Sequence, residues 1–93
     1  MSSAEEKRWF EAVGSLETCS LCGVYGIQVA HSNRDRGMGQ KSKPWMTAAL
    51  CRADHEAIDN GKHLVQAERR ALMDRAIVLT HDRLIREGKL RLT

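Results

Sequence analysis

The chain has 93 residues and a net charge of +3, and only one Phe, one Tyr and two Trp are available to fill a core. So short a chain is expected to form one domain, 1–93, which a bound metal would help to stabilise. The polar start MSSAEEKRWF and the lack of an apolar run near ~20 residues predict neither a signal peptide nor membrane contact, hence a cytoplasmic location. In that reducing compartment, three cysteines favour metal binding over disulfides.

Helices are expected near both ends of the chain. Ser3 and Glu6 have the spacing of a capping box, which predicts a helix that ends at Gly14. A longer helix is predicted over 66–87, where apolar residues recur at i, i+3 and i+4, and Gly88 ends it. Its apolar stripe is expected to lie in the core, with a homodimer through this helix as the alternative. The stripe consists of Leu72, Met73, Ala76, Ile77, Thr80 and Leu84.

Between these helices the pattern predicts a β-hairpin and a short helix. Val24–Ala30 is rich in β-forming residues and predicts the first strand, and Trp45–Leu50 predicts the second. Arg34–Pro44 holds two glycines and the only proline, which is typical of a loop. Arg52–Asp59 is expected to form the short helix, for which Gly61 supplies a left-handed stop.

All three cysteines lie in two short motifs with zinc-binding spacing. Cys19-x2-Cys22 is followed, after 28 intervening residues, by Cys51-x2-Asp54. Two such pairs hold one zinc ion tetrahedrally and tie distant segments together. Asp54 can be the fourth ligand, but it can equally be the N-cap of the following helix, with His55, water or nothing as the ligand instead. The alternative to a metal site is three reduced thiols.

A second group of polar residues lies beside these motifs. His31 follows the apolar run of the first strand, while His55 and Asp59, four residues apart, share one face of the short helix. This arrangement can hold a hydrated divalent metal with a separate imidazole facing it. Hydrolysis of a phosphodiester needs both parts, because a metal neutralises the developing charge and a base activates water.

The excess positive charge lies in one loop. Between His31 and Lys43 there are four cations and a single acid, Asp35, which equals the net charge of the chain. A basic loop with glycines suits contact with a phosphate backbone, and a loop that is basic for solubility is the alternative. The predicted nucleic-acid-binding residues are Arg34, Arg36, Lys41 and Lys43.

Together these motifs resemble the HNH, or ββα-metal, nuclease group, and within it the short zinc-containing proteins of phages and prophages such as the recombination-enhancing nuclease type. The resemblance covers Cys19 to Gly61 in the order Cys-x2-Cys, Val-Ala-His31, Gly-Met-Gly-x-Lys41 and Ala-Leu-Cys51-x-x-Asp54-His55-x3-Asp59. It implies an α+β fold with a zinc-stabilised ββα-metal core over 19–61. An N-terminal helix region, 1–18, would precede that core, and a long C-terminal helix and tail, 62–93, would follow it.

The resemblance also implies roles for the second group of residues. His31 would be the general base, and His55 with Asp59 would bind a catalytic Mg²⁺ or similar ion. The expected function is a metal-dependent DNA endonuclease in recombination or DNA processing, acting on single-stranded or duplex DNA in the bacterial host cytoplasm. Ala30 and Asp54 depart from the family's pattern, which favours the alternative of a non-catalytic, zinc-stabilised nucleic-acid-binding module. A small adaptor that binds proteins through its C-terminal helix is the third hypothesis.

Overall fold

The architecture is α+β, and a computed structural model describes residues 4–32, 44–61 and 63–89 of it. Within these residues three helices surround a two-stranded antiparallel sheet. The order of elements agrees with the sequence prediction. In chain order the elements are α1 (Ala4–Gly14), β1 (Gln28–His31), β2 (Thr47–Leu50), α2 (Arg52–Asn60) and α3 (Gln66–Arg86).

The register of the sheet sets the position of His31. His31, the last residue of β1, lies opposite Thr47, the first residue of β2. One further hydrogen bond, from the N–H of Ser32 to the carbonyl oxygen of Met46 at 2.9 Å, continues the pairing past the strand ends. His31 therefore lies at the end of the sheet from which residues 33–43 depart, and those residues are outside the described part of the chain.

Helices pack against both faces of the small sheet. Successive side chains of a strand point to opposite faces, so each face presents residues that a helix can bury. Ala30 and Ala48 belong to a buried cluster with Met73 of α3. On the other face, Ala49 lies in a second buried cluster with Val13 of α1. The alanine side chains are small, so the helices can approach the sheet closely.

The predicted apolar stripe of α3 forms part of the core. Met73, Ala76, Ile77, Thr80 and Leu84 are buried, whereas Leu72 is half-buried. The homodimer through this helix stays a prediction. No helix in the described ranges is both long and apolar enough to span a membrane.

The first strand is shorter than the expected Val24–Ala30, because it begins at Gln28. Gly23 and Gly26 have φ values of 81° and 96°, so the chain turns once just before the predicted strand and once within it. Tyr25 is 79% exposed and pairs with Thr18 through an isolated bridge. The second strand begins at Thr47 and not at Trp45.

The predicted left-handed stop at Gly61 is wrong. Gly61 caps α2 with φ −65° and ψ 108°, which any residue can adopt. Glycine is required there for a different reason: a Cβ atom would collide with the carbonyl oxygen of Ala57. The N–H of Gly61 donates to that same oxygen, so the close approach is part of the cap. Gly88 ends α3 with φ 70°, as a glycine terminator is expected to do.

Arg83 of α3 holds the segment that leads from α1 to the first cysteine motif. Its Nη2 atom donates to the carbonyl oxygen of Leu16 at 3.1 Å and to Oγ1 of Thr18 at 2.7 Å. Its Nη1 atom donates to the carbonyl oxygen of Thr18 at 2.7 Å and to Oγ of Ser20 at 3.1 Å. One guanidinium group therefore fixes the main chain at Leu16 and Thr18, before Cys19, and the side chain of Ser20, after it.

Candidate metal centre and adjacent cleft

The two predicted metal-binding motifs meet in space. The ligand atoms of Cys19, Cys22, Cys51 and Asp54 all lie within 4.8 Å of one another. The two Sγ atoms of Cys22 and Cys51 are 3.6 Å apart, and Oδ2 of Asp54 is 3.1 Å from Sγ of Cys19. Around a tetrahedral zinc ion, two sulfur ligands are about 3.8 Å apart and a sulfur and an oxygen about 3.5 Å. The donor set and its spacing therefore fit a metal ion such as zinc.

The first half of this centre is a tight turn. The N–H of Gly23 donates to the carbonyl oxygen of Cys19 at 2.9 Å, and the N–H of Cys19 donates to that of Val24, also at 2.9 Å. Gly23 supplies the left-handed conformation that the turn requires. The turn brings the thiols of Cys19 and Cys22 to one side of the chain.

The second half is the start of α2, and Cys51 is the N-cap of that helix. The N–H of Asp54 donates to Sγ of Cys51 at 3.4 Å, and Oδ2 of Asp54 lies 3.4 Å from the same sulfur. The alternative prediction that Asp54 is the N-cap is therefore wrong, and its carboxylate is directed to the thiols instead. The positive end of the helix dipole favours negative charge on both side chains.

Hydrogen bonds and burial set the protonation of the metal-free centre. A main-chain hydrogen bond with Val24 lowers the pKa of Cys22. The Asp54 carboxylate, partial desolvation and the other thiols outweigh this effect, so the pKa is raised overall from 9.0 to about 12. Burial is the main cause that raises the pKa of Cys51. The Cys19 thiol lowers the pKa of Asp54 most. At neutral pH the metal-free centre thus holds a carboxylate and protonated Cys22 and Cys51, and a bound metal must displace the thiol protons.

His55 and Asp59 pair on α2, as their spacing predicts. Nε2 of His55 lies 3.1 Å from Oδ2 of Asp59, and Nδ1 lies 2.7 Å from Oε1 of Gln28 in β1. When Nδ1 carries the proton and donates it to the amide oxygen of Gln28, the lone pair of a neutral Nε2 faces the Asp59 carboxylate. Nε2 of His55 and Oδ2 of Asp59 are spaced like two adjacent ligands of one metal ion that lies about 2.1 Å from each of them. A proton on Nε2 is the other species that could bridge them.

An open cleft of ≈ 190 Å³ lies where the end of β1 meets α2 and α3. His31 and Asp59 both line it. The ring of His31 also packs edge-on against Phe10 of α1, with the ring centroids 5.3 Å apart and the planes at 78°. The predicted base and one predicted metal ligand therefore face the same space. The other residues that line the cleft are Ile58, Gln66, Arg69, Arg70 and Met73.

The predicted catalytic residues do not form a second cluster of the zinc-binding kind. Across 4–32, 44–61 and 63–89, the Cys19, Cys22, Cys51 and Asp54 set is the one group of three or more Cys, His, Asp or Glu side chains that converges. His55 and Asp59 converge as a pair, and His31 lines the same cleft as Asp59. The predicted nucleic-acid-binding residues Arg34, Arg36, Lys41 and Lys43 lie outside the described residues.

Sequence reasoning missed three residues of this region: Gln28, Arg69 and Arg70. Gln28 lies within the predicted first strand and the two arginines within the predicted helix 66–87, and the sequence patterns assign none of them to a site. Adjacent arginines near a helix start were the only signal in the sequence. No family model, curated protein or solved structure matches the chain. Any function of the chain therefore has to be inferred from the geometry of the centre and of the cleft.

Proposed function

We propose that this protein is a metal-dependent DNA endonuclease of the HNH, or ββα-metal, type, encoded by a phage or prophage and acting in DNA recombination or processing. One observation carries the proposal: His31 and Asp59 line the same cleft, and His55 lies 3.1 Å from Asp59. A general base thus faces a pair of metal ligands across a space that is open to a phosphate backbone.

In this proposal the zinc ion is structural. Three thiolates and the carboxylate of Asp54 would fill all four positions of a tetrahedral ion, so no position would be open to substrate. The centre joins the turn before β1 to the first turn of α2, and His55 and Asp59 lie on that helix. Zinc binding would therefore fix the helix that carries the catalytic ligands relative to the sheet that carries His31.

Of the described residues, two, His55 and Asp59, would hold the catalytic ion in this arrangement. The residue before His31 is Ala30, whose side chain is buried in the core, so it contributes no ligand. Hard divalent ions such as Mg²⁺ are commonly bound by one or two protein groups, with water and substrate phosphate completing the shell. An ion held by His55 and Asp59 would neutralise the charge that develops on the phosphate and on the leaving oxygen. Gln28 fixes the tautomer of His55 that exposes Nε2.

His31 is positioned to act on water. It is the last residue of β1, its ring is exposed, and Phe10 packs against it edge-on, which restricts rotation of the ring. As the base, its neutral imidazole accepts a proton from the water that attacks phosphorus. The leaving oxygen would depart on the opposite side of the phosphate, near the His55 and Asp59 pair.

The test is cleavage of single-stranded and supercoiled duplex DNA by wild type, His31→Ala and His63→Ala with Mg²⁺, Mn²⁺ or chelator. His63 is an exposed histidine outside the cleft, so it is the matched control. We expect cleavage that requires metal, a loss of roughly 100-fold or more in His31→Ala and wild-type rates in His63→Ala. Zinc content and circular dichroism should be the same in all three proteins.

Two results would contradict the nuclease proposal. If no protein cuts with any divalent metal, or if His31→Ala cuts as fast as His63→Ala, the catalytic role of His31 is lost. DNA binding that persists without any cleavage would instead favour the zinc-stabilised nucleic-acid-binding module, which needs the same scaffold but no base.

A further inference from the structure

The cleft beside His31 is also lined by two arginines that have no role in the proposed cleavage reaction. Arg69 and Arg70 are consecutive residues near the start of α3, and both line the cleft together with Gln66. We propose that these three residues form an anion-binding site that holds a phosphate of the nucleic-acid backbone. The inference rests on the proposed function, because it places the phosphate in the space shared by His31 and Asp59.

Arg69 has one buried nitrogen that lacks a hydrogen-bond acceptor within the described residues. Its Nη1 atom donates to the main-chain carbonyl oxygen of Asp59 at 3.1 Å, which fixes the plane of the guanidinium group. Its Nε atom is buried and has no hydrogen-bond partner within the described residues. Buried donors are almost always paired, and the fork formed by Nε and Nη2 matches two oxygens of a phosphate. A phosphate oxygen would become this acceptor when the Arg69 side chain turns its Nε edge into the cleft.

Arg70 adds charge at the mouth of the same cleft. It is exposed, and none of the hydrogen bonds or ion pairs between described residues involves it. Among the described residues that line the cleft, Asp59 is the one acid, and it is already paired with His55. This described lining is therefore net positive, and the nearby N-terminal end of α3 adds a favourable dipole for an anion.

The size of the cleft points to a backbone group and not to a whole small ligand. Its volume of ≈ 190 Å³ is below the range of about 300–1,000 Å³ that is usual for small-molecule pockets. The cleft is also open, with Ile58 and Met73 as its apolar lining. A single phosphate with its adjoining sugar, reached from a longer strand, fits both properties.

Binding of a fluorescein-labelled 20-nucleotide DNA, in single-stranded and duplex form, tests this inference. All proteins carry His31→Ala and no divalent ion is added, so that cleavage does not interfere. Arg69→Gln and Arg70→Gln are compared with Arg75→Gln, which removes an exposed arginine of the same helix outside the cleft. We expect each cleft variant to weaken the Kd about tenfold and to reduce the salt slope by about one, and Arg75→Gln to change the Kd less than about twofold.

A second measurement reports on Arg69 directly. In ¹H–¹⁵N spectra of the whole protein, inorganic phosphate should shift the Nε–H signal that Arg69→Gln removes. Arg75→Gln should leave this shift unchanged. This readout does not depend on the stability of the Arg69 variant, because the shift is measured in protein that retains Arg69.

The outcomes separate this inference from the nuclease proposal. It is overturned if the parent His31→Ala protein does not bind DNA, if Arg70→Gln and Arg75→Gln weaken binding equally, or if phosphate leaves the Arg69 signal unmoved. If the unmutated protein cuts DNA and the cleft variants on that background cut with unchanged KM, the nuclease stands and the anion site falls. If nothing cuts but the cleft variants alone lose binding, the anion site stands and the nuclease falls.

Discussion

The Oδ2 atom of Asp54 lies 3.1 Å from Sγ of Cys19, although 35 positions separate the two residues in the chain. Cys19 belongs to the turn that precedes β1, and Asp54 to the first turn of α2. The contact therefore joins the two halves of the candidate metal centre. A carboxylate oxygen is an uncommon partner for three thiolates, yet it is a competent zinc ligand at this distance.

Replacing Asp54 by Asn tests whether the carboxylate is the fourth ligand. The amide keeps the shape of the side chain but loses its negative charge, so we expect zinc affinity to fall by at least about tenfold. Competition with a chromophoric chelator at fixed pH measures the change. Glu56→Gln is the matched control, since Glu56 lies on the same helix and pairs only with exposed Arg52 among the described residues. Equal zinc affinity in Asp54→Asn and wild type would show that Asp54 is not a ligand.

The stability of the metal-free protein should depend on pH through the same centre. The pKa of Cys22 is raised from its ordinary 9.0 to about 12 and that of Cys51 is raised as well, so these thiols keep their protons more firmly in the folded state. Their contribution is complete below about pH 9 and is lost as pH rises towards 12. The pKa of Asp54 is lowered from 3.8, so its contribution is present above about pH 4 and is lost as pH falls.

Urea unfolding of the metal-free protein across pH measures this profile, which should fall on both sides of a plateau between about pH 4 and pH 9. Zinc affinity should rise with pH over the neutral range, because binding displaces protons from Cys22 and Cys51. Calorimetry in two buffers of different ionisation enthalpy would count the released protons. A zinc affinity that does not change with pH would contradict thiolate ligation.

Much of the fold and of the metal centre could be predicted because both depend on local spacing. The stripe of α3 and the pairing of His55 with Asp59 follow from helical periodicity, and the cysteine motifs follow from the geometry of one ion. The limits of β1 could not be predicted, because the run Val24–Ala30 has suitable residues and only the conformations of Gly23 and Gly26 break it. The end of α2 at Gly61 could be predicted, but the reason for the glycine could not, since its close contact with Ala57 has no signature in sequence.

The lining of the cleft depends on how α2 and α3 lie against the sheet. Nothing in the spacing of Arg69 or Arg70 indicates that they approach Asp59, which is on a different helix. The hydrogen bond between Gln28 and His55 likewise joins β1 to α2, and each residue alone has an ordinary environment in the sequence. Contacts of this kind are set by tertiary packing, which local patterns do not specify.

Gln28 should act as a positioning residue for the catalytic ion. In Gln28→Ala, Nδ1 of His55 loses its acceptor, so the tautomer and the ring orientation are no longer fixed, and metal affinity should fall by about 10–100-fold. Cleavage as a function of Mn²⁺ concentration, together with Mn²⁺ binding followed by electron paramagnetic resonance, measures this. Gln28→Glu retains an acceptor oxygen and should bind the metal at least as tightly as wild type. If both variants bind Mn²⁺ as wild type does, Gln28 has no role in metal binding.

Arg83→Lys should destabilise the protein and loosen the first cysteine motif. The guanidinium group of Arg83 donates four hydrogen bonds of 2.7–3.1 Å to the segment from Leu16 to Ser20. A lysine has a single nitrogen, which cannot span these acceptors, so two or more carbonyl and hydroxyl oxygens would lose their donors. We expect the free energy of unfolding to fall by about 2–4 kcal/mol, measured by urea titration.

Arg86→Lys is the control for this change. Arg86 lies further along α3, is 72% exposed and pairs with Asp82 at 2.9 Å, so its replacement should cost less than about 0.5 kcal/mol. Zinc dissociation should also be faster in Arg83→Lys than in Arg86→Lys, because Cys19 lies within the segment that Arg83 holds. If the two variants are equally stable and release zinc at the same rate, the metal and the core position this segment without Arg83.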